Sequence, residues 1–80
     1  MDIKIIGNNS SNRMKLIKNI NKALKNYKNS VLIDIIDDEE TLIKYKDKNT
    51  PILIINNKII STGKILESRE IKKYIEILEI

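Results

Sequence analysis

Eighty residues carrying 15 Lys and Arg against 11 Asp and Glu give a formal net charge of +4, on a chain near the lower size at which one apolar core holds a fold without staples or metal. The sequence has no Cys and no His, which excludes disulfides, Cys/His zinc sites, thiol chemistry and histidine acid–base catalysis. No run approaches the roughly 18 apolar residues that cross a bilayer, and Met1 leads into Asp2 and a strand-like run rather than a basic region and an apolar leader, so the expectation is a cytoplasmic protein with no membrane association.

The chain reads as one domain over residues 1–80. In Asp2 to Gly7, Ile3, Ile5 and Ile6 surround a single Lys4, too apolar on both faces for an exposed edge, and this predicts a central strand. A polar elbow follows, Gly7-Asn8-Asn9-Ser10-Ser11-Asn12-Arg13-Met14-Lys15, and leads into a helix. From Ser11 to Tyr27 the apolar Leu16, Ile17, Ile20, Ala23, Leu24 and Tyr27 recur at spacings of three and four. Lys15, Lys18, Lys22 and Lys25 hold the opposite side, and Ser10 or Ser11 can supply the N-cap.

After the loop Lys28-Asn29-Ser30, the β-branched run Val31 to Ile36 predicts a second strand, joined to the first by a helical crossover and therefore parallel to it. Asp37, Asp38, Glu39 and Glu40 stand where a second helix would begin, favourably for its dipole, and Leu42, Ile43 and Tyr45 give it a short apolar side. It should fade between Lys46 and Asn49. Thr50-Pro51 opens the run Ile52 to Ile55, and Asn56-Asn57 separates it from Lys58 to Ser61. That pattern predicts a hairpin, because Asn tolerates the positive φ angles of a two-residue turn. Thr62-Gly63-Lys64 breaks the run, and Ser68 can cap a last helix with Ile71, Ile75 and Leu78 at i, i+4 and i+7. The result is an α/β chain of order β-α-β-α-β-β-α.

With its Thr-Pro before the third strand, its Asn-Asn hairpin and Gly63 ahead of the last helix, this order resembles the thioredoxin fold. The nearest likeness is to the short glutaredoxin-like proteins, also called small redox-active disulfide proteins, and it covers essentially the whole chain. The resemblance implies a four-stranded mixed sheet of order 2-1-3-4 with helices on both faces. It also implies a cis bond before Pro51 that turns the backbone of Thr50 toward the elbow, where an extended peptide can pair with it as an added strand. In that family the elbow carries Cys-x-x-Cys; here Ser10 and Arg13 hold the two positions. A thiolate at the helix N-terminus and a resolving thiol three residues on are what the redox chemistry requires, and both are missing.

The candidate site is therefore the notch of Asn9, Ser10, Arg13, Thr50, Pro51 and Gly63, expected to bind an extended peptide, a protein partner or a small anion without cofactor or metal. Arg13 sits in the first helical turn, against the dipole, a placement that would suit holding a carboxylate or phosphate beside the N–H groups of Ser11 and Asn12. The plainer readings are an N-cap for Ser10, an exposed cation for Arg13, and fold architecture for Pro51. A Ser10-based transferase-like enzyme acting on a thiol or anionic substrate is the alternative from a different class, although no His is present to activate the hydroxyl. Nucleic-acid binding through the lysine face is not expected, because the stripe carries neither aromatics nor a recognised motif.

Overall fold

The computed structural model describes residues 1–78. Its elements are β1 (Asp2–Ile6), α1 (Ser11–Ala23), β2 (Leu32–Ile36), α2 (Glu39–Lys44), β3 (Ile52–Ile55), β4 (Lys58–Thr62) and α3 (Ser68–Leu78). They form a four-stranded sheet of order β2-β1-β3-β4. β2 runs parallel to β1, whereas β3 is antiparallel to β1 and β4 to β3. β1 and β3 are thus interior, where both faces are covered, and they are the most buried strands although β2 is richer in apolar residues than β1.

Strand alternation divides the apolar residues between the faces. Ile3 and Ile5 of β1 and Leu53 and Ile55 of β3 meet Leu16 and Ile20 of α1 and Ile71 and Ile75 of α3. On the other face Ile6, Ile52 and Ile54 form a smaller cluster, capped by Ile36, Leu42 and Tyr45. Among the described residues nine Ile and Leu side chains, including Ile5, Leu16 and Leu53, are essentially fully buried, each contributing about 1.5–3 kcal/mol. The thirteen-residue α1 and the eleven-residue α3 cover one face and the six-residue α2 the other.

The hairpin turns on Asn56 and Asn57 at φ of 49° and 67°, the left-handed angles that a tight hairpin requires. Asn56 also ties the turn to the first strand: its N–H donates to the Asp2 carbonyl at 2.8 Å and its Oδ1 accepts the Asp2 N–H at 3.0 Å. A register shift opposite Leu53 and Ile54 interrupts β4, with Ile60 packed against the larger core.

Two helix ends differ from the sequence expectation. α1 stops at Ala23 rather than Tyr27, because the chain tightens into turns closed by Lys25 N–H to the Lys22 carbonyl and Tyr27 N–H to the Leu24 carbonyl. These turns still hold Leu24 and Tyr27 against the core, so the apolar period outlasts the helix. At α3 the first helical bond runs from the Ile71 N–H to the Glu67 carbonyl, which makes Glu67, not Ser68, the N-cap. The Glu70 carboxylate reaches back to accept the Glu67 N–H at 3.3 Å, the reciprocal half of a capping box.

Asp38 caps α2, accepting the Thr41 N–H at 3.0 Å and the Thr41 hydroxyl at 2.9 Å. The Thr41 backbone bond, followed by the hydroxyl bond, holds its carboxyl below the ordinary value of 3.8. A depressed folded-state pKa means that this cap stabilises fully above the unfolded value and is lost as pH falls through the folded one. The expected result is a Thr41 amide resonance that titrates with a midpoint below 3.8, a transition absent from Asp38→Asn.

Candidate functional site

Parallel pairing sets the elbow. It places Ile6 beside Ile36 at the ends of β1 and β2, and the Gly7 N–H extends the ladder by one bond to the Ile36 carbonyl at 3.0 Å. The loops after the two strands consequently leave the sheet side by side, bringing Asp37 against the elbow.

Ser10 is the N-cap of α1, extended at φ −145° and ψ 165°, with its side chain accepting the Arg13 N–H at 3.1 Å. Its carbonyl takes the first helical bond, from the Met14 N–H. The N–H groups of Ser11 and Asn12 remain as first-turn donors without intrahelical partners. Asn9 and Ser10 are exposed.

Arg13 does not extend into solvent. Its Nη1 donates to the Gly7 carbonyl and to Asp37 Oδ2, both at 3.2 Å, and its side chain is 13% exposed. The guanidinium therefore answers a conflict created by its own helix position: the dipole disfavours a cation in the first turn, while a carbonyl and a carboxylate receive it. Removing the two partners should have unequal effects. Arg13→Ala deletes a charge-assisted bond to a backbone carbonyl and is expected to cost about 1.5–3 kcal/mol. Asp37→Ala, whose carboxylate is 58% exposed, is expected to cost about 0.2–1 kcal/mol. Urea titration of both variants measures the order, and a larger loss for Asp37→Ala would show that the ion pair rather than the carbonyl bond anchors the side chain.

Thr50 and Pro51 form the facing side. The bond between them is cis, Pro51 is buried, Thr50 is exposed, and the Pro51 carbonyl accepts the Gly63 N–H at 2.9 Å. Two glycines bring the backbones together. A Cβ on Gly7 would stand 3.2 Å from the Thr50 Cβ and 3.4 Å from the Pro51 Cα, and one on Gly63, at φ +67°, would stand 2.7 Å from the Asn49 Cβ. Among the described residues neither the N–H nor the C=O of Thr50 is hydrogen-bonded.

Gly7, Thr50, Pro51 and Gly63 thus meet in one place, and Ser10 and Arg13 open the helix that leaves it. Sequence reasoning missed Asp37 as a partner of the elbow and Asn49 as the neighbour of Gly63. The parallel register was the signal for Asp37, since it aligns the residues that follow two paired strands; nothing in the sequence marks Asn49. Two concavities lie elsewhere, one of about 690 Å³ between the end of α1 and α3 and one of about 340 Å³ between α2 and the sheet. Among the described residues no group of three or more acidic side chains is placed to hold a metal, and no helix is long and apolar enough to cross a membrane.

A parallel β-α-β unit extended by an antiparallel hairpin, with a Thr-Pro turn packed on the elbow, defines a thioredoxin-like domain. The sequence profile of the thioredoxin domain matches residues 1–76, and the chain belongs to that family. No curated protein and no solved structure matches it. Without cysteine, its own atoms cannot carry out thiol–disulfide exchange.

Proposed function

We propose that this thioredoxin-family domain acts as a binding module that accepts an extended peptide segment at the notch of Asn9, Ser10, Arg13, Thr50, Pro51 and Gly63. The observation that supports this reading is the exposed Thr50, whose backbone donor and acceptor are both unused beside the elbow. Such a pair is what a segment adding itself as a strand requires. A peptide is favoured over a free anion because the Arg13 charge is already met by Asp37 and the Gly7 carbonyl. The spacing from Thr50-Pro51 to Gly63 supports placing the chain with the short glutaredoxin-like branch of the family. The serine-enzyme alternative gains no support: the Ser10 hydroxyl oxygen is an acceptor for the Arg13 N–H.

Amide shifts of the labelled full chain test the proposal, recorded on addition of a mixed-sequence extended peptide library and, separately, acetate and phosphate. Peptide-induced shifts at Ser10, Thr50 and Gly63 are the expected result. Shifts at those residues with the anions alone would replace peptide by anion as the ligand, and unmoved resonances throughout would overturn the reading.

A further inference from the structure

The larger concavity lies away from the notch, where the end of α1 approaches α3. Its floor is apolar, made by Ala23, Tyr27 and the buried Ile75, and its cations are arranged in two short rows. Lys22 and Lys25 stand on the α1 side, Arg69 and Lys72 on the α3 side, each pair three residues apart, and among the described residues Glu76 is the single acid of the lining. Along α3 three residues make about one turn, or roughly 5 Å, and in the turn that follows α1 the Lys25 N–H bonds to the Lys22 carbonyl, which keeps that pair similarly close. Each row is therefore about as long as a single phosphate or carboxylate group, far shorter than a nucleic-acid backbone track.

From this arrangement we infer that the groove is a binding site for a small amphipathic anion, an acyl or aryl body carrying one phosphate-like group. Three features select that chemistry. A volume of about 690 Å³ lies within the usual 300–1,000 Å³ range of small-molecule pockets. The apolar floor gives the body of the ligand surface to bury. Cations facing each other across that floor concentrate positive potential over it, so an anionic head is attracted from both walls and a neutral one is not. The lysines are exposed and reach the head by swinging inward, their stems lying along the apolar body; Arg69 joins them by exchanging its exposed pair with Glu67, at 3.4 Å, for the ligand.

Binding of octyl phosphate to the full chain, followed by amide shifts and calorimetry, tests the inference. The expected result is saturable shifts at Ala23, Tyr27 and Ile75, with octanol and inorganic phosphate each binding at least about tenfold more weakly, since each supplies one of the two contacts. The double variant Lys22→Gln/Lys72→Gln, which alters exposed side chains only, should weaken octyl phosphate about tenfold while leaving the fold intact, at a few-fold per screened charge. Equal affinity for inorganic phosphate would show general charge attraction and overturn the proposal. Shifts confined to residues outside the groove would overturn it as well. Tighter capture of an acidic peptide at the same residues, or self-association that octyl phosphate does not relieve, would assign the groove to a protein partner or to a second copy.

Discussion

Gly63→Ala is expected to destabilise the protein by about 2–5 kcal/mol, the sum of placing a side chain in the left-handed region and of forcing it into occupied space. Both terms come from one position, at φ +67° with a Cβ that would lie 2.7 Å from the Asn49 Cβ. For a chain of this length the total stability is about 4–12 kcal/mol, so the variant should melt at least about 8 °C lower, at roughly 4–8 °C per kcal/mol. A second substitution separates the terms. Asn49→Gly removes the atom that the new Cβ would strike, and the pair Gly63→Ala/Asn49→Gly should recover the steric part while the cost of the backbone angle, about 1–2 kcal/mol, persists. A double-mutant cycle by denaturant titration should therefore give a coupling of about 1–3 kcal/mol. Additive behaviour would mean that Asn49 moves aside freely and that the backbone angle alone fixes glycine there.

The same substitution reaches the notch. The Gly63 N–H holds the Pro51 carbonyl, so displacing Gly63 shifts the peptide unit next to Thr50. Loss of peptide-induced shifts in Gly63→Ala, with recovery in the double variant, would tie the binding geometry to this bond rather than to global stability.

Local signals made the fold legible. The Asn56-Asn57 turn and the crossover geometry were fixed by residue chemistry and chain connectivity, and the observed φ angles and parallel β1–β2 pairing agree with them. Helix ends were less so: the apolar spacing through Tyr27 measures which residues reach the core, and a turn can satisfy it as well as a helix. Ser68 was the better N-cap by residue type, yet Glu67 takes the position because a Glu70 side chain can close it from within. Arg13 marks the limit of reading along the chain. In sequence it is a cation misplaced against a dipole; in space it joins the residues after two parallel strands, a relation that exists only once the register is set. The orientation of a long flexible side chain depends on partners that are 24 residues away in the case of Asp37, and no local pattern encodes it.

The elbow should accept thiol–disulfide chemistry once it carries sulfur. Ser10→Cys/Arg13→Cys is expected to convert a protein that, having no cysteine, should read blank in an insulin-disulfide reduction assay into one with measurable thiol-dependent activity. The first position is already the N-cap of α1, with the N–H of residue 13 directed at its side chain, so a sulfur there meets the donors and dipole that stabilise a thiolate. The second position lies three residues on, in the first helical turn, where a thiol is placed to resolve a mixed disulfide. Deleting the guanidinium costs about 1.5–3 kcal/mol, so folding of the variant is verified by circular dichroism before activity is scored. Ser10→Cys alone should form a mixed disulfide and stop, because no resolving thiol follows. A folded double variant that stays inactive would show that the notch lacks more than sulfur atoms, and that Thr50 and Pro51 do not stand where a substrate disulfide must lie.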